Sequence, residues 1–79
     1  MALVRKLEKS SMWRNSVHGE VKCTYSIFQD DSGQQYLQID TYGSSQRQFR
    51  NKKSQSIQFG SEAIGELRRL LESEISAKP

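Results

Sequence analysis

VKCTYSIFQDDSGQQYLQIDTY, residues 21–42, reads as two strands joined by a turn. In its first part Val21, Cys23, Tyr25 and Ile27 face one way, and Lys22, Thr24, Ser26 and Phe28 face the other. A period of two, carried by β-branched and aromatic residues, is the mark of a half-buried strand. Gln29-Asp30-Asp31-Ser32-Gly33 is turn chemistry. Asp and Ser bond back to nearby backbone, and Gly permits positive φ. Tyr36–Tyr42 alternates again, with Leu37, Ile39 and Thr41 on one face and Tyr36, Gln38, Asp40 and Tyr42 on the other.

Toward the C-terminus, Gly43-Ser44-Ser45 breaks the pattern. Gln46–Arg50 reads as a short third strand, Asn51-Lys52-Lys53 as a turn, and Ser54–Phe59 as a fourth strand with Ile57 and Phe59 inward. Short gaps imply antiparallel neighbours, because parallel pairs need long crossovers. Ser61 is a candidate N-cap, and Glu62 suits the positive end of a helix dipole. A helix over Glu62–Ile75 places Ile64, Leu67, Leu71 and Ile75 on one stripe, with Ala63 and Leu70 beside it. Gly65 inside that helix either allows close approach to the sheet or is merely tolerated at a cost of up to about 1 kcal/mol. The reading is an α+β domain, ββββα, in which a four-stranded antiparallel meander carries one C-terminal helix on one face. It spans residues 21–76, behind a basic N-terminal arm (1–20) and before a frayed tail (77–79). In the arm, Leu3, Val4 and Leu7 fit a short helical turn, while the alternation Leu3, Arg5, Leu7 fits a strand.

Seventy-nine residues with 34% apolar content form one small domain, and oligomerisation is a usual supplement for so small a core. The net charge of +3 is unevenly spread: residues 1–53 hold nine Lys/Arg against five Asp/Glu, and residues 54–79 hold three against four. The stretch 43–59 carries Arg47, Arg50, Lys52 and Lys53 and no acid. A basic hairpin on a small sheet suits phosphate binding, as against a merely solvated loop. The open sheet face would carry Phe28, Tyr36 and Tyr42, which either stack unpaired bases or pack as cross-strand partners.

Cys23 alone permits no internal disulfide, which points to an intracellular, cytoplasmic protein, and its place in an apolar row suits a buried small hydrophobe. No apolar run is long enough for a signal peptide or a membrane span. His18 is the single histidine and sits in a polar stretch, so no catalytic group and no metal ligand set is assembled, and no glycine motif for a cofactor is present. The chain reads as a non-enzyme without cofactor.

The order strand–strand–strand–strand–helix, with SQSIQFGSEAIGELRRLLESEI at its end and GQQYLQIDTY upstream, resembles the single-stranded-nucleic-acid-binding superfamily of the Pur-alpha and Whirly type over about residues 20–76. Ile57-Gln58-Phe59, Ser61 and Ala63-Ile64 hold the place where that family's last strand leads into its helix. The resemblance implies a curved sheet, pairing of two such units, here as a homodimer, and binding of single-stranded DNA or RNA. By position the contacts would fall on Arg47, Arg50, Lys52, Lys53, Tyr36, Tyr42 and Phe49. A sheet-based duplex DNA binder and a small dimeric protein–protein adaptor are the alternative expectations.

Overall fold

The computed structural model describes residues 1–11, 15–43 and 53–75. The elements are β1 (Ala2–Val4), β2 (Cys23–Gln29), β3 (Gln35–Tyr42), β4 (Lys53–Phe59) and α1 (Ser61–Ser73). They form one four-stranded sheet in the order β1-β4-β3-β2 with a single C-terminal helix, the α+β class read from the sequence.

β2 and β3 form the hairpin that the alternation predicts, with Tyr25 opposite Ile39, Ile27 opposite Leu37 and Phe28 opposite Tyr36. Asp30 builds its turn. Its carbonyl accepts the Gly33 N–H at 3.0 Å, and its Oδ1 accepts the Ser32 and Gln34 N–H groups at 2.9 and 3.0 Å. Gly33 sits at φ +87°, a backbone state that costs glycine nothing and other residues a Cβ clash. β4 then pairs antiparallel with β3.

The sheet is mixed rather than a pure antiparallel meander. The expected third strand at 46–50 lies outside the described residues. The remaining strand of the sheet comes from the N-terminus: Ala2, Leu3 and Val4 pair in parallel with Ile57, Gln58 and Phe59. The alternation in the arm therefore prevails over the helical turn at Ala2–Val4. A parallel partner is possible because the chain between β1 and β4 is long enough for a crossover. Val4 further accepts the Gly60 N–H at 2.9 Å, and the Leu7 N–H donates to Glu66 Oε1 at 2.7 Å, so the arm is tied to the helix as well as to the strand.

The helix cap lies one residue earlier than the sequence suggests. Gly60 occupies the N-cap with extended backbone and no side-chain cap bond, and Ser61 is the first helical residue. Ser61 Oγ instead donates to Gln34 Oε1 at 3.0 Å, which fastens the helix start to the β2–β3 turn.

α1 lies against β3 and β4. Ala63 is fully buried, Ile64, Leu67 and Leu70 are half-buried, and Leu71 and Ile75 are exposed. The packed stripe is thus rotated from Ile64-Leu67-Leu71-Ile75 to Ala63-Ile64-Leu67-Leu70. Gly65 does not serve close approach to the sheet: the nearest atom to a Cβ there is the Arg69 guanidinium at 3.7 Å.

The one helix lies over β3 and β4, and β2 lies beyond it. Tyr25 is 74% and Ile27 63% exposed, and Cys23 is exposed rather than buried. Strand alternation sets which face a side chain takes, but only a covering layer buries it.

Candidate nucleic-acid interface

The face away from the helix is built by residues of even number in β2 and β3, with Ser56 and Gln58 from β4 and Leu3 from β1. Its centre is Asp40, 5% exposed on the middle of β3. Ser56 Oγ donates to Asp40 Oδ1, Gln38 Nε2 donates to both carboxylate oxygens at 3.0 and 3.2 Å, and Lys53 Nζ stands 3.4 Å from Oδ2. Gln58 Nε2 in turn donates to Gln38 Oε1 at 2.8 Å. The Ser56 hydrogen bond, with those from Gln38 and Lys53 and the Lys53 charge, holds the Asp40 carboxyl below the usual carboxylate range against the opposing effect of desolvation.

Lys53 reaches this carboxylate through a register shift. Thr41 pairs with Gln55, but Tyr42 pairs with Lys53, so Ser54 is the extra residue of a β-bulge. Uninterrupted alternation from Ile57 and Gln55 would send Lys53 to the helix side. The bulge turns it to the open face, where bulges commonly re-aim a side chain.

Aromatic rings occupy both ends of this face. At one end Phe28 and Tyr36 stack with centroids 5.3 Å apart and planes 17° from parallel. Phe28 is 38% exposed, and Tyr36 is half-buried. Tyr36 donates its hydroxyl to Asp30 Oδ2 at 2.9 Å, so the turn that aims the hairpin also holds the ring. The Asp30 carboxyl lies below its usual range, chiefly through the Ser32 hydroxyl bond, with Tyr36 and the Gln34 and Ser32 backbone groups adding to it. At the other end Lys22 Nζ lies 5.6 Å from the centre of the Tyr42 ring, within reach of a cation–π interaction, and the Tyr42 hydroxyl shares a 3.0 Å hydrogen bond with Thr24. Six strand steps lead from Tyr36 to Tyr42, about 20 Å along β3.

Of the residues that the sequence nominates, Tyr36, Tyr42 and Lys53 therefore share one face. Arg47, Phe49, Arg50 and Lys52 lie outside the described residues. Lys53 is no free cation of a hairpin tip but the partner of Asp40. The sequence reading names Phe28 as a stacking candidate on this face but does not nominate Lys22, Gln38, Ser56 or Gln58 as contacts. Parity along the strands puts each of them on this face, and that signal was available. Among the described residues no group of three His, Cys, Asp or Glu converges on a metal position, and no helix is long and apolar enough to cross a membrane.

The open face can thus offer flat rings at both ends, amide and hydroxyl edges between them, and ammonium groups from Lys22 and Lys53. Comparison with protein-family models, with curated proteins and with solved structures finds no match.

Proposed function

We propose that this protein is a cytoplasmic, non-enzymatic binder of single-stranded nucleic acid, DNA or RNA, that takes the strand across the open sheet face. The observation that carries this reading is the Phe28–Tyr36 stack on a face that no described helix or strand covers, whose opposite end holds Lys22 over Tyr42. Unpaired bases stack on such rings without regard to sequence, and flanking cations follow the backbone. The acid-free run with Arg47, Arg50 and Lys52 immediately precedes Lys53 in the sequence and adds positive charge to the same stretch of chain. Asp40 does not oppose an incoming phosphate with a bare charge, because Lys53 and three hydrogen-bond donations already engage it. The exposed, unpaired Cys23 is consistent with a reducing compartment.

Fluorescence anisotropy with matched single-stranded DNA, RNA and duplex DNA at several salt concentrations tests the proposal. Single strands bind more tightly than duplex, and affinity falls steeply with salt as counterions are released. Alanine at Arg47, Arg50 and Lys52 flattens that slope without altering the fold. Preference for duplex would favour insertion of the hairpin into a groove. Absence of salt-sensitive binding to any of the three would leave the protein–protein adaptor as the better reading.

A further inference from the structure

The two edges of the sheet are unlike. β1 is three residues long and is followed at once by Arg5 and Lys6, both devices that discourage strand addition. β2 is seven residues long, CTYSIFQ, with no charge, no proline and no bulge in its pairing with β3. The Tyr42 N–H donates to the Lys22 carbonyl at 2.9 Å, so Lys22 and every second residue after it (Thr24, Ser26, Phe28) turn their backbone groups toward β3. Cys23, Tyr25, Ile27 and Gln29 consequently aim their N–H and C=O groups outward, and among the described residues no strand lies there. The side chains of Tyr25 and Ile27 on this same edge are the uncovered part of the apolar face.

We propose that β2 pairs antiparallel with β2 of a second copy, about a twofold axis at Ser26, joining two four-stranded sheets into one of eight strands. This occupant is chosen because the edge is complementary to itself. In the only register that overlaps the whole strand, Cys23 faces Gln29 and Tyr25 faces Ile27 of the other copy. All of these residues have outward backbone groups, so the hydrogen-bonding positions coincide. The same register sets Lys22 opposite Asp30 of the second copy, a cation facing an acid at each end of the seam. Both helices then lie on one side, Tyr25 packs across the seam on Ile27, and the open faces of the two copies become continuous. Dimerisation here is independent of nucleic-acid binding.

Disulfide trapping tests the register. Ser26 faces itself at a non-hydrogen-bonded position, with Cα atoms about 4.5 Å apart, within disulfide range. In a Cys23→Ser background, Ser26→Cys forms a covalent dimer under mild oxidation. Thr24→Cys in the same background does not, because its two copies stand about 13 Å apart along the strand. Sedimentation of the unmodified chain shows a reversible dimer, and Ile27→Lys, at an exposed position, raises its dissociation constant about ten-fold while the helix signal is kept. A chain that stays monomeric at every concentration overturns the proposal. So does a dimer that Ser26→Cys fails to trap, or that Thr24→Cys traps equally well.

Discussion

Lys53 stands 3.4 Å from the carboxylate of Asp40, on the adjacent strand, and the two form an ion pair on the open face. The exposure of the two side chains differs sharply, 49% for Lys53 and 7% for Asp40. A carboxylate so enclosed needs several donors, and Ser56 and Gln38 supply the rest. The pair therefore belongs to a network that fixes β3 against β4, unlike an isolated surface bridge, which contributes little.

Acid should loosen this network. Asp40 and Asp30 both titrate below their usual value in the folded chain, Asp40 chiefly through Ser56 and Asp30 chiefly through Ser32. A lowered folded value means that the stabilisation is fully present above the unfolded carboxylate value of about 3.9 and is lost as pH falls through the lower folded values. Melting temperatures measured from pH 6 down to pH 2 should fall in the acid range. Asp40→Asn should lower Tm at pH 6 and shrink the acid-dependent drop. An unchanged pH profile in that variant would remove Asp40 from the acid response.

The helix contains a removable weakness. Gly65 has φ in the ordinary helical range, and a Cβ there meets only the guanidinium of the exposed Arg69 at 3.7 Å. Gly65→Ala should stabilise the protein by up to about 1 kcal/mol, read as a higher urea midpoint with unchanged slope. Gly33→Ala should do the reverse, because φ of +87° is strained for alanine even though the surroundings are open.

Ala63 is the one fully buried apolar side chain among the described residues, at the contact of α1 with the sheet. Ala63→Leu should push the helix from the sheet and destabilise by about 1–3 kcal/mol. Urea unfolding followed by circular dichroism checks it. A neutral result would mean that the helix rides on the sheet more loosely than this contact indicates.

On the open face, ring and hydroxyl can be separated. Tyr36→Phe retains the stack on Phe28 and removes the bond to Asp30. Tyr36→Ala removes both. If bases stack here, affinity for a single-stranded oligonucleotide should fall by about 1–3 kcal/mol in Tyr36→Ala and remain nearly unchanged in Tyr36→Phe. Equal loss in both would assign Tyr36 to shaping the turn rather than to binding.

Much of this was legible in the chain itself. The alternation of residues 21–28 and 36–42, the Asp-Ser-Gly turn and the apolar stripe after residue 60 each express a local rule: strand period, backbone-seeking polar side chains, helical period. These gave the hairpin, the last strand, the helix and the faces of Tyr36, Tyr42 and Asp40. Local rules do not say which distant segment completes a sheet. Ala2–Val4 became an edge strand because β4 had a free side, and three residues carry too little pattern to announce that.

What the amino-acid order determined, then, was the direction in which each side chain points, because parity and helical period act within a few residues. The tertiary structure alone decided how far each would be covered. A single helix seated over β3 and β4 leaves Cys23, Tyr25 and Ile27 in the open, although their pattern reads as core. The bulge at Ser54 reverses Lys53 and delivers it to Asp40. Both outcomes depend on what lies across from a residue in space, and neighbours in sequence hold no record of that.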